Sequence, residues 1–191
     1  MGIEIIETNI SGIYIIKLAA KDDERGYFLR TYDRDIFARY GLQTEWVQEN
    51  QSMSVVKSTL RGLHFQTGEA AETKLVRVLS GSVIDVAVDI RKDSPTFGQH
   101  VSIELSAQNQ TALYISRGFA HGFCTLAPDS VVSYKVDNFY NPALEAGLLW
   151  SDPSVNIQWP FTGEPSCVSG KDSKWPLLKN LVPVEPANWS K

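Results

Sequence analysis

Short runs of β-forming residues, each closed by turn residues, dominate this chain and leave little room for helices. In "SVIDVAVDI" (82–90), Ile84, Val86, Val88 and Ile90 fall on one side of an extended strand and Val83, Asp85, Ala87 and Asp89 on the other. "KLVRVLSGSVIDV" (74–86) reads as two such runs joined at Ser80-Gly81, which predicts a hairpin. "HVSIELS", "TALYIS" and "SVVSYKV" follow, bounded by Gln108-Asn109, Arg117-Gly118 and Pro128-Asp129. One helix is expected in "DRDIFARYG" (33–41), with Asp33 as cap, Ile36, Phe37 and Tyr40 on one face, and Gly41 as the stop. Short strands at this spacing predict an all-β fold, an antiparallel sandwich or jelly roll with a few short helices.

A length of 191 residues is enough for one domain with its own core. The expectation is a single domain over 1–191. Its tail, from about residue 160, where Pro, Ser and Gly become frequent, packs on the barrel. A net charge of -4 argues against nucleic acid or an anionic membrane as partner, but leaves room for a small anion held by a local Arg/Lys cluster. The opening "MGIEIIETNISGIYIIKLAA" is interrupted by Glu4, Glu7, Thr8 and Asn9 and lacks a basic leader, so it reads as strands rather than as a signal or membrane span. Cys124 and Cys167 make neither a disulfide framework nor a zinc spacing, and a reduced cytoplasm is the expected location.

Polar residues stand where a filled barrel would not want them. His64 lies among apolar residues in "LRGLHFQ" (60–66), and His121 recurs in "RGFAHGF" (117–123). Lys74 shares strand parity with Val76 and Val78, and Tyr134 with Val136. Arg61 has the opposite parity to His64, so both face one cavity only if Gly62 permits a bulge. Each residue alone is more simply read as structural: a buried imidazole, a surface lysine, a core tyrosine, Asp172 as a solvated turn residue. Together, an imidazole, a phenol, a lysine and several arginines make a proton-transfer set with an anion clamp. Jelly rolls that bind metal commonly do so through two histidines one residue apart. His64 is followed by Phe65-Gln66, and His100 and His121 are isolated, so neither a metal site nor a cofactor is expected.

"DERGYF" (23–28), "VQENQSMS" (47–54), "LRGLHFQ", "KLVRVLSGSVIDVAVDIRKDSPTFG" (74–98), "GFAHGF" (118–123), "YKVDNFYNP" (134–142), "WSDP" (150–153) and "SGKD" (169–172) resemble the dTDP-4-dehydrorhamnose 3,5-epimerases, in that family's order and over nearly the whole chain. The resemblance implies a metal-free cupin-type jelly roll and a homodimer whose N-terminal segments join the partner's sheet. The implied substrate is the sugar nucleotide dTDP-4-keto-6-deoxyglucose, inverted at C3 and C5. It also implies that His64 is the base, Asp172 its orienting carboxylate, Tyr134 the acid on the opposite face, and Lys74 the cation near the enolate. Arg25 and Arg61 match substrate contacts at the diphosphate. Gln48, Glu49 and Asn50 match the segment beside the nucleoside, and Tyr140 the ring that stacks on thymine. His121, Glu145 and Lys171 match further contacts. Two positions depart from the pattern. Arg30 stands near the nucleotide where the family usually has a glutamate, replacing an acceptor with a donor, and Ser116 stands where it often has proline. Two rival readings remain at this point: an epimerase acting on one carbon of a related 4-keto sugar nucleotide, and a non-catalytic jelly roll that binds one.

Overall fold

The computed structural model describes residues 2–185. Residue 1 and residues 186–191, the two ends of the expected 1–191 domain, lie outside the described residues. The first sheet contains, in spatial order, β1 (Ile3–Glu7), β2 (Ile13–Leu18), β10 (Thr111–Ile115), β7 (Lys74–Ser80), β12 (Ser130–Val136) and β5 (Gln48–Ser54). The second runs β13 (Glu145–Gly147), β6 (Thr59–Gln66), β11 (Phe119–Thr125), β8 (Ser82–Asp89) and β9 (His100–Ser106); β14 (Cys167–Val168) adds to β6 in parallel. All other pairings within the two sheets are antiparallel. A separate small hairpin joins β3 (Lys21–Asp23) to β4 (Gly26–Phe28). This is the expected jelly roll. No described helix is long and apolar enough to cross a membrane.

The strand alternation is buried on both sides. Val76, Val78, Leu113 and Val132 of the first sheet meet Val83, Ala87, Leu105 and Phe123 of the second across the interior. The outer face of the second sheet, with Val86, Val88 and Ile90, is covered by Leu148, Val155, Leu178 and Val184 of the C-terminal stretch. The outer face of the first sheet, with Ile16, Leu75 and Tyr114, is covered by Phe37 and Leu42. The helix α1 (Arg34–Arg39) supplies Phe37, and the Asp33 side chain caps it by accepting from the N–H groups of Asp35 and Ile36. Tyr40, expected on the same face, is 53% exposed, because the helix ends at Arg39 and Tyr40 is already its C-cap.

The run joined at Ser80-Gly81 is not a hairpin. β7 lies between β10 and β12, whereas β8 pairs with β9 and β11 in the other sheet. Each run carries an inward apolar row, and a hairpin would set the two rows side by side on one sheet. Crossing between sheets at Gly81 instead places Val76 and Val78 opposite Val83 and Ala87.

β6 and β11 approach unusually closely. Their register pairs His121 with His64 but Phe123 with Arg61, so β6 holds one extra residue in between. Gly62, at φ 123°, occupies this bulge, where a Cβ would lie 2.6 Å from Gly122 Cα and 2.8 Å from the His121 carbonyl oxygen. Gly62→Ala is therefore expected to destabilise the fold by about 1–3 kcal/mol from the backbone conformation alone, with the collision adding to this. Denaturant unfolding measures the loss, and an unchanged midpoint would contradict this account.

Candidate active site

The bulge decides what enters the space between the sheets. With one extra residue in β6, Arg61 and His64 both line a cavity of about 410 Å³, although they stand three apart in an extended strand. From the same sheet β11 contributes His121, and from the opposite sheet β7 contributes Lys74 and β12 contributes Tyr134. The stretch after β14 closes one side with Ser169, Lys171 and Asp172. The sequence-derived set His64, Lys74, Tyr134, Asp172, Arg61, His121 and Lys171 is thus brought into one cavity.

His64 and His121 face each other across β6 and β11, and each is held by a carboxylate. His64 Nε2 lies 2.7 Å from Asp172 Oδ1, and the Gly62 N–H donates to Asp172 Oδ2 at 3.1 Å. Burial alone would raise the Asp172 carboxyl. The hydrogen bond and charge of His64, with the Gly62 N–H, outweigh it and hold the group below the usual carboxylate range. Trp175 meets the His64 ring edge to face, with centroids 6.2 Å apart. His121 Nε2 lies 2.9 and 3.0 Å from the two oxygens of Asp85, a residue with no exposed surface.

Across the cavity, burial and then the negative charge of Glu72 push the Tyr134 phenol up, against an opposing pull from Arg61. Lys74 Nζ sits 6.0 Å from the Tyr134 ring centroid. At the rim, Glu145 Oε2 takes Lys171 Nζ at 2.5 Å and the Tyr140 hydroxyl at 2.7 Å, and the Tyr140 N–H donates to Gln48 Oε1 at 2.9 Å. Tyr140 and Glu145 therefore border the cavity rather than line it. Gln48 and Asn50 share the face of β5 whose Ser52 reaches the cavity.

Three expected contacts are not brought there. Glu49 alternates to the outer face of β5, bonded to Lys135 Nζ at 2.7 Å and to Ser133 Oγ at 3.1 Å, because only every second residue of a strand can face inward. Arg25 projects from the exposed hairpin and pairs with Asp23 of its own turn. Arg30 pairs with Asp33 Oδ2 at 2.9 Å, beside the helix cap. Both arginines lie outside the cavity of their own chain.

Sequence reading missed Asp85, Glu72 and Trp175. Asp85 carried a usable signal, an acid sharing inward parity with Val83 and Ala87; Glu72 and Trp175 carried none, since each acts through a contact that the strand pattern does not encode. Among the described residues, no group of three or more His, Cys, Asp or Glu side chains is placed to hold a metal ion.

Fold and cavity together define a cupin-type jelly roll whose interior is lined with ionisable side chains. The family model for dTDP-4-dehydrorhamnose 3,5-epimerase matches residues 7–180. A curated relative of that name from Salmonella typhimurium is 46% identical, over 95% of this chain and 98% of its own length. Among solved structures, the Bacillus anthracis dTDP-4-dehydrorhamnose 3,5-epimerase with TDP and PPi bound matches with a TM-score of 0.88 and 43% identity, covering 92% of this chain and 99% of that one. A Legionella pneumophila dTDP-6-deoxy-D-glucose-3,5-epimerase in complex with dTDP-4-keto-L-rhamnose matches with a TM-score of 0.89 and 39% identity, covering 95% of each chain. This chain belongs to the dTDP-4-dehydrorhamnose 3,5-epimerase family.

The Asp172 carboxyl has a lower pKa in the folded protein than its ordinary value of 3.8, so its contribution to stability is full above that value and is lost as pH falls through the lower folded one. Asp172→Asn should therefore give a shallower acid limb in thermal melts taken from about pH 5 down to about pH 2. A limb parallel to the parent's would show that Asp172 contributes nothing there.

Proposed function

We propose that this protein is an isomerase that inverts C3 and C5 of dTDP-4-keto-6-deoxyglucose, giving dTDP-4-keto-L-rhamnose. The observation that carries the reading is the placement of His64, held by Asp172, on one sheet opposite a phenol and an ammonium on the other, around one cavity. The ketone at C4 makes the hydrogens on C3 and C5 removable, because the electrons of each broken C–H bond delocalise onto the ketone oxygen as an enolate. Asp172 holds His64 Nε2, so Nδ1 is the ring nitrogen left to take the proton. Asp172 orients the ring and stabilises the imidazolium that forms. Lys74 offers fixed positive charge to the developing enolate oxygen. Tyr134, kept protonated by burial, returns a proton to the same carbon from the other face, and the two side chains then reset by exchange with solvent. Arg61, His121 and the Glu145–Lys171 pair surround the rest of the ligand, with Gln48, Asn50 and Tyr140 toward the nucleoside.

The same reading makes the protein a cytoplasmic homodimer. Tyr27 and Phe28 are 62% and 56% exposed on the β3–β4 hairpin, an apolar surface suited to a second copy of the chain. That contact would carry Arg25 and Arg30 toward the partner's nucleotide end. Light scattering on the purified protein should give the mass of a dimer; a monomer mass would remove this part of the reading.

Incubation with dTDP-4-keto-6-deoxyglucose in heavy water, followed by NMR, should place deuterium at both C3 and C5. Deuterium at one position alone would reduce the activity to a single inversion, and none at either would leave only binding. His64→Ala should lower the exchange by ~10²–10⁴-fold, the range of a general base. Tyr134→Phe should lower product formation more than exchange.

A further inference from the structure

Lys74 opens β7 with its side chain only 10% exposed, and an ammonium so placed is costly unless it is paired. Its partner is Glu72, whose Oε1 lies 3.2 Å away and whose side chain is also 10% exposed. The pair stands beside Tyr134, with Lys74 Nζ 6.0 Å from the ring centroid. An ammonium next to a phenol favours the phenolate, the wrong form for an acid; a carboxylate bound to that ammonium offsets it. We propose that Glu72 is a positioning residue of the epimerisation: its carboxylate fixes the Lys74 ammonium at the cavity wall and sets a negative charge against the cations that favour the phenolate at Tyr134, so the phenol keeps its proton until the enolate takes it. The inference rests on the roles of Tyr134 and Lys74 given above.

The other charges facing Tyr134 do not replace Glu72. From β6, Arg61 opposes it and His64 is held by Asp172; from β13, Glu145 acts in the same direction but more weakly and is bound to Lys171. Glu72 is second only to burial in keeping the phenol protonated. The carboxylate engages one side of the Lys74 ammonium, which has three N–H donors, leaving donors for the enolate oxygen. Glu72 thus acts in opposite senses on the two half-reactions. Its negative charge weakens the hold of Lys74 on the enolate and strengthens Tyr134 as the acid. Without it, deprotonation is sustained and reprotonation falters.

The test compares Glu72→Gln, Glu72→Asp and Tyr134→Phe with the parent, following deuterium in recovered substrate, product formation, and the pH dependence of kcat. In Glu72→Gln the ratio of exchange to product should rise on the order of tenfold, a part of the ~10²–10⁴-fold that a placed acid contributes. The alkaline limb of kcat should also move to lower pH, because the phenol loses the charge that favours its protonated form. Glu72→Asp, which keeps the charge, should hold the limb near the parent's position. If Glu72→Gln lowers exchange and product together with an unmoved limb, Glu72 is structural and the inference falls while the roles of Tyr134 and Lys74 stand. If Tyr134→Phe forms product at the parent's rate, the reading of Tyr134 as acid fails, and the inference fails with it.

Discussion

The Asp172 carboxylate ties together the three parts that the cavity needs. One oxygen takes the N–H of Gly62 at the bulge, and the other takes the His64 ring two residues further along the same strand. The carboxylate itself comes from the C-terminal stretch, after β14 has added to β6. A single buried group thus fixes the bulge, the imidazole and the segment that closes the cavity. The Gly62 N–H, displaced by the bulge from the regular ladder, would be an unsatisfied buried donor without it. Burying the charge is costly, and the two hydrogen bonds together with the neighbouring imidazole offset that cost. The fold and the site therefore share one interaction.

Charge pairing then determines what the cavity can receive. Lys74 is matched by Glu72, Lys171 by Glu145, His64 by Asp172 and His121 by Asp85. Arg61 has no carboxylate partner among the described residues; its Nε donates to Ser54 Oγ and one terminal nitrogen to the Met53 carbonyl. These neutral acceptors fix the guanidinium without cancelling its charge. An anion entering the cavity meets one permanent positive charge that is not already committed, which suits a sugar nucleotide's diphosphate. The overall net charge of -4 gives no hint of this, because it sums over a surface that the ligand does not meet.

What could be read from the sequence follows from how local each signal is. The runs at 100–106, 111–115 and 130–136 are strands because period-two patterning and turn residues are written within a few positions. The Ser80-Gly81 junction was misleading because a turn signal says only that the chain bends. Whether the next strand pairs with the previous one or crosses to the other sheet depends on where both apolar rows are buried. Glu49 looked like its neighbours Gln48 and Asn50 in a motif, yet strand alternation sends it to the opposite face. Asp172 and His64 stand 108 positions apart, so no local pattern links them, and only the resemblance to a family put them in one site. The bulge at Gly62 was legible as a requirement: Arg61 and His64 could share a face only if the strand gained a residue there, and it does.

The same reasoning bears on Arg25 and Arg30. Both lie on the segment from β3 to the cap of α1, where every residue of the two short strands is exposed. A two-stranded hairpin has little stability in water on its own, and this one presents Tyr27 and Phe28 to solvent. Among the described residues, Arg25 and Arg30 pair with the nearby acids Asp23 and Asp33, two and three positions away, and such exposed pairs contribute little. They are therefore readily exchanged for a stronger acceptor, such as a phosphate oxygen. The proposed dimer would meet both needs at once, covering the aromatic pair and bringing two cations to the nucleotide end of a neighbouring cavity. It would also explain why Arg25, which sits in a family motif, lies outside the cavity of its own chain.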